Sequence, residues 1–319
     1  MIDRRDLLAM TGLSLTVVAL AAGPGALRAE ALEEIPLWPG APPGRGGVTG
    51  PEKIGGEGSG FGAVSNIATP RMRVYRPNHA NGKAVIVCGG GGYFRIQLWK
   101  ESTPIARWLQ MRGYTVFELL YRLPNDGWDA TVPFMDAQRA MKIVRTRASE
   151  FGVSPDQIGI MGFSAGGHLA GYTALQPAKL LYEGRDRYEQ VSARPDFAVL
   201  LFPVVSLRKP YDTTRTRREI IGTDPTLAAQ EEWSLDTHAS RKAPPTIIFS
   251  AADDPITPPG HSISLFQALK AAGAQAELHI FEEGGHGWGL GTKDQILNQW
   301  PDMFEAWLTR RTQSRNRGE

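Results

Sequence analysis

The chain has 319 residues, with 35 basic and 33 acidic side chains and a formal net charge of +2. That balance leaves no electrostatic footprint for nucleic acid. The single cysteine, Cys88, excludes an internal disulfide and reads as a small buried hydrophobe at a strand end. The length suits one sizeable domain.

Residues 1–31 read as an export signal. Arg4 and Arg5 form a twin-arginine-like start, an apolar run follows from Leu13 to Ala22, and Ala29 or Ala31 is the last signal residue. The apolar run is too short for a comfortable transmembrane helix, so no stable membrane anchor is expected. The expected location is periplasmic or secreted, and the expected domain is 32–319. Residues 40–62 hold ten glycines with Pro42, Pro43 and Pro51. This loop composition predicts a segment wrapped over the domain.

Beyond it, strands and helices alternate. Strands are predicted near 85–88, 114–119, 158–162, 197–202, 246–251 and 276–281. Helices are predicted near 102–112, 134–151, 165–175, 260–272 and 299–310. Such alternation argues for an α/β fold, a mostly parallel sheet with helices on both faces. Residues 176–195 and 206–240 are charged and loop-rich, and are expected to form a small cap over the site. Within the second of these, Arg208, Lys209, Arg215, Arg217 and Arg218 form a local basic patch, read as a solvated face.

The first predicted strand empties into Gly89-Gly90-Gly91-Gly92. Four glycines let the backbone approach a ligand and aim N–H groups at it. No phosphate-loop or dinucleotide spacing accompanies them. The strand Ile158–Met161 runs into Gly162-Phe163-Ser164-Ala165-Gly166 and then a helix. Strand, sharp turn and helix are the setting of a nucleophile elbow, with Ser164 at its tip. The strand at 246–251 ends in a turn carrying Asp253 and Asp254. The strand at 276–281 leads to His286 among glycines, the best candidate base for Ser164. His79, His168, His238, His261 and His279 read as structural or solvated. No H-E-x-x-H or clustered Cys/His set occurs, so no metal and no organic cofactor is expected.

The order and spacing of several stretches resemble one family. They are Ile35–Gly40, the loop at 90–93, Tyr121-Arg122-Leu123, Asp136–Ala140, Ile158–Leu169, Asp254-Pro255 and Gly285-His286-Gly287. Over roughly residues 35–310 the chain is similar to the α/β-hydrolase esterases of the acetylxylan/feruloyl esterase type. The resemblance implies the α/β-hydrolase fold, with Ser164 as nucleophile, His286 as base and Asp254 as acid. It implies an oxyanion hole from the N–H groups of Gly90, Gly91 and Ala165. The chain departs from the family pattern at Cys88-Gly89, where His or Pro usually stands, and at Glu101-Ser102, where Glu-Gly is common.

The expected activity is hydrolysis of short acyl esters, acetyl before feruloyl, on a plant-type polysaccharide, through an acyl-enzyme. The expected partner is an acylated carbohydrate or a small ester. Tyr93, Phe94, Trp99 and Trp288 flank the proposed site and are candidates for stacking on sugar faces, although core packing is the preferred reading for any one of them. A general carboxylesterase, a serine peptidase and an acyltransferase would use the same triad order. A silent carbohydrate-binding protein is the rival from outside catalysis.

Overall fold

The computed structural model describes residues 32–316, and the side chains of 32–313. The export-signal reading lies outside the described residues. The main sheet has eight strands: β1 (Glu33–Pro36), β2 (Arg71–Tyr75), β3 (Ala84–Cys88), β4 (Thr115–Leu120), β5 (Ile158–Phe163), β6 (Phe197–Leu201), β7 (Thr246–Ala251) and β8 (Ala276–Phe281). Their spatial order is β1-β2-β4-β3-β5-β6-β7-β8. The pairings β1–β2 and β2–β4 are antiparallel, and every later pairing is parallel. This is the α/β-hydrolase architecture.

The parallel strands at the centre are buried on both faces, so their sequences run apolar without alternation. The two-residue period decides which face each side chain serves. Ala84, Ile86 and Cys88 of β3 join one core, while Val85 and Val87 join the other. The first core is covered by α2 (Val132–Thr146), α3 (Ala165–Leu175) and α6 (Gly260–Ala271). The second is covered by α1 (Thr103–Met111) and α7 (Trp300–Asn316), which contribute Ile105, Leu109, Trp300, Phe304 and Trp307. Cys88 is fully buried at the end of β3.

Six of these strands and five helices lie where hydrophobic patterning predicts them. β1 and β2 were not predicted. β1 is four residues with one buried side chain and carries little patterning, whereas β2 alternates as Arg71-Met72-Arg73-Val74 and its signal went unread. The glycine-rich segment at 40–62 does wrap the domain. It adds the short strand Lys53–Ile54, which forms a small sheet with Ala63–Ser65 and Ile96–Gln97.

The same segment is fastened by a buried ion pair. Arg122 binds Asp136 through Nε and Nη2, at 2.9 and 2.8 Å, and its Nη1 donates to the Pro43 carbonyl at 2.6 Å. Trp38 Nε1 donates to the same carboxylate at 2.8 Å. Both charged groups are fully buried. Buried charges persist only when paired and fully hydrogen-bonded, which gives Arg122 and Asp136 a structural explanation.

Of the expected cap, residues 206–240 hold α4 (Arg215–Ile221) and α5 (Leu227–Glu232), and Thr214–Thr216 line the cavity beside Ser164. Residues 176–195 instead pack on α2, where Asp186 and Glu189 engage Arg139 and Lys142.

Candidate active site

Ser164 sits between β5 and α3 with φ 52° and ψ −117°. A non-glycine residue at positive φ is strained by about 1–3 kcal/mol and is held only by its surroundings. Here the Ser164 N–H donates to Leu201 O at 3.0 Å, and its carbonyl accepts from His168 and Val204 at 3.0 and 3.2 Å. The glycines on either side are required by space. A Cβ on Gly162 would lie 2.1 Å from Gly166 O, and one on Gly166 would lie 2.2 Å from Cys88 O.

The ends of β7 and β8 bring the partners together. His286 Nε2 lies 2.9 Å from Ser164 Oγ, and its Nδ1 lies 2.7 Å from Asp254 Oδ2. An ionised carboxylate only accepts hydrogen bonds. Nδ1 therefore carries the proton and donates to Asp254, which leaves Nε2 free to accept the Ser164 hydroxyl proton. Asp254 is buried, and its Oδ1 accepts the N–H groups of Ile256 and Thr257 at 2.8 and 2.9 Å. Thr257 Oγ1 lies 2.8 Å from Asp254 Oδ2. The ring of Phe202 packs against His286 at 4.9 Å between centroids.

The glycine loop after β3 lies against the serine. A Cβ on Gly90 would sit 3.0 Å from Ser164 Cβ and 2.7 Å from Phe163 O. The expectation that the Gly90 N–H faces the oxyanion is corrected here. That N–H donates to Glu101 Oε2 at 2.7 Å. The Gly90 carbonyl in turn accepts from Gln97 N–H at 2.9 Å. A trans peptide points its N–H opposite to its C=O, so this bond fixes the direction of the Gly91 N–H. Among the described residues, the N–H groups of Gly91 and Ala165 have no protein acceptor. Ala165 follows Ser164 in the chain, Gly91 lines the same cavity, and they remain the candidate oxyanion donors.

Glu101 is a site residue that sequence reasoning passed over. It is 3% exposed and lines the cavity. Burial raises its pKa, and the Gly90 N–H, His286, Lys100 and Arg95 oppose that rise in this order. Its only sequence signal was the acidic residue of the Glu-Ser pair after the loop.

The cavity over Ser164 measures about 310 Å³ and is lined by Phe94, Val204, Ile256 and His286, among others. Phe94 thus lines the cavity. Tyr93 does not. It is fully buried, its ring packs on Tyr121 and Phe134, and its hydroxyl bonds His168 Nδ1 at 3.0 Å. Trp288 is also displaced from the cavity. It packs on Phe202, Phe281 and Trp300, outside the lining. Core packing claims both aromatics. His168 is structural as read, with Nε2 2.7 Å from Trp233 O. Trp99 is about half exposed and packs edge-on against Phe61 at 5.0 Å.

Comparison with known proteins agrees with this geometry. A family model described as BD-FAE matches residues 72–269. An acetylxylan esterase of Xylanibacter ruminicola is 31% identical over 77% of this chain and 49% of its own length. Endo-1,4-beta-xylanase B of Butyrivibrio fibrisolvens is 27% identical over 68% of this chain and 34% of its own. The chain therefore spans half or less of these relatives. The crystal structure of an acetyl ester-xyloside bifunctional hydrolase from Caldicellulosiruptor lactoaceticus superposes with a TM-score of 0.69 at 32% identity, covering 76% of this chain and 88% of that one. Esterase 2 of Thermogutta terrifontis superposes with a TM-score of 0.65 at 27% identity, covering 77% and 90%. With its fold, its serine elbow and these matches, the chain belongs to the BD-FAE family of α/β-hydrolase esterases.

Proposed function

We propose that the protein is a serine ester hydrolase that removes short acyl groups, acetyl before feruloyl, from acylated carbohydrate. The observation that carries this reading is the relay from Ser164 Oγ through His286 to Asp254, at 2.9 and 2.7 Å. Support for the substrate class comes from similarity to the acetylxylan esterase of X. ruminicola and the acetyl ester-xyloside hydrolase of C. lactoaceticus. Short acyl chains are supported by T. terrifontis esterase 2, solved with propionate and with butyrate bound.

His286 takes the Ser164 proton as Oγ attacks the ester carbonyl. The oxyanion that develops is held by the N–H groups of Gly91 and Ala165. His286 then returns the proton to the leaving alcohol. Water, activated by the same imidazole, attacks the acyl-enzyme and releases the acid. Asp254 holds the imidazole tautomer and stabilises the imidazolium.

The test is acetate release from acetylated xylan, followed by chromatography, alongside aryl esters of increasing chain length. In a cavity this small kcat/KM should fall from acetate to butyrate to octanoate, each methylene contributing about 1–3 kcal/mol of discrimination. Ser164→Ala should abolish turnover and labelling by a fluorophosphonate. Preference for octanoate with acetylxylan untouched would instead identify a lipase-like carboxylesterase.

We also propose export by the twin-arginine route, from Arg4-Arg5 and the apolar run at Leu13–Ala22. Lysine at both arginines should retain the protein in the cytoplasm, as read by fractionation. Unchanged export would refute this route.

A further inference from the structure

The cavity that holds Ser164 is unevenly charged. Its wall contains Arg95, Lys100 and Arg215 against one carboxylate, Glu101. Glu101 is turned to the Gly90 N–H at 2.7 Å. Arg215 is balanced by Glu219 at 2.6 Å and bonds Asn125 Oδ1 at 2.9 Å. Among the described residues, neither Arg95 nor Lys100 forms an ion pair within 4.0 Å.

Two of these cations share one aromatic ring. The guanidinium carbons of Arg95 and Arg215 each lie 4.8 Å from the centroid of the Phe94 ring. Arg95 Nε is buried and has no hydrogen-bond acceptor. Its Nη2 makes one long contact, 3.4 Å to Ser59 Oγ. Lys100, in the turn at Leu98–Ser102, approaches the loop of the base. A Cβ on Gly287, the residue after His286, would lie 3.3 Å from Lys100 Nζ. A buried N–H without an acceptor is costly to leave unmade, and a bound anion would supply the acceptor. Arg215 was read from sequence as part of a solvated patch. It is exposed, as that reading has it, and from the start of α4 it also lines the cavity.

We propose that Arg95, Lys100 and Arg215 bind a carboxylate carried by the ester substrate, so that acidic acylated substrates are preferred over neutral ones. The inference rests on the ester-hydrolase reading above. The carboxylate can belong to the alcohol side, as a uronic acid in an acylated glycan, or to the acyl side, as in a half-ester of a dicarboxylic acid. A guanidinium fork and a nearby ammonium suit either.

Two measurements test it. The first compares kcat/KM for acetylated oligosaccharides with and without a uronic acid, and for an aryl acetate against an aryl hemisuccinate. One acidic member should be favoured by about tenfold or more, the scale of a charge-assisted hydrogen bond, and the preference should shrink as salt is raised. The favoured pair tells which side carries the carboxylate. Lys100→Gln and Arg95→Gln should each lower the acidic-to-neutral ratio. Lys100 is exposed, so its variant stays informative if Arg95→Gln fails to fold.

The second measurement is calorimetric binding of a uronic-acid oligosaccharide and of its neutral counterpart to Ser164→Ala, which needs no turnover. Tighter binding of the acidic oligosaccharide, weakened by Lys100→Gln, supports the site even if no ester is hydrolysed, and only the hydrolase reading then falls. Equal kcat/KM within both pairs, with equal binding, overturns the carboxylate site. Turnover of neutral aryl acetate that depends on Ser164 would leave the hydrolase reading standing in that case.

Discussion

Asp253 and Asp254 are neighbours in sequence but hold the histidine loop by different atoms. Asp254 Oδ2 accepts the His286 Nδ1 proton at 2.7 Å, whereas Asp253 Oδ1 accepts the Gly285 backbone N–H at 2.8 Å. One sets the imidazole tautomer and the other anchors the turn. Asp254→Asn should therefore lower kcat by about 10⁴ on an aryl acetate, because the amide cannot enforce the productive tautomer. Asp253→Asn should cost far less. Steady-state kinetics on the two variants checks the ranking, and the reverse order would transfer the acid's role to Asp253.

Glu101 acts on the oxyanion loop through the Gly90 N–H. Removing the acceptor with Glu101→Ala should loosen the 90–91 peptide and lower kcat by about 10–100-fold, the cost of a hydrogen bond to a charged group. KM for a small neutral ester should change much less. Glu101→Gln keeps an acceptor oxygen and should recover part of kcat. Equal losses in Gln and Ala would point to charge rather than positioning.

Arg122→Met should destabilise the fold by about 3–5 kcal/mol, because Asp136 would be left charged, buried and without its main partner. Chemical denaturation monitored by circular dichroism measures this. Adding Asp136→Leu should restore only part of the loss. The Trp38 Nε1–H and the Arg122 backbone N–H also donate to Asp136, and both would be orphaned.

His168 is fully buried, and burial lowers its pKa from 6.5 to about 4. The unfolded chain then binds the proton more readily than the native one. Its contribution is complete above pH 6.5 and is lost as pH falls toward about 4, by up to about 3 kcal/mol. His261, also lowered to about 4 by burial, acts in the same direction. His168→Asn should flatten the dependence of unfolding free energy on pH across that window. An unchanged slope would assign the acid sensitivity elsewhere.

What could be read from sequence was what is local. Ser164 follows from five consecutive residues in a strand–turn–helix setting, and the central strands announce themselves as unbroken apolar runs. His286 and Asp254 follow from chain order and resemblance. The errors concern which way a group points. Gly90 was assigned as an oxyanion donor because nothing in a run of glycines shows that a carboxylate eleven residues on takes its N–H. Tyr93 was placed at the mouth, yet at φ 60° its side chain enters the core beside His168. Each outcome depends on contacts between distant segments, to which periodicity is blind.

The fully buried Cys88 has a practical consequence. Burial raises its pKa and keeps it as the unreactive thiol, and it is the chain's sole cysteine. A thiol-reactive dye can therefore reach sulfur only when β3 leaves the sheet. The protein thus carries its own opening reporter, and the labelling rate in mild denaturant would time the departure of the strand that leads into the oxyanion loop.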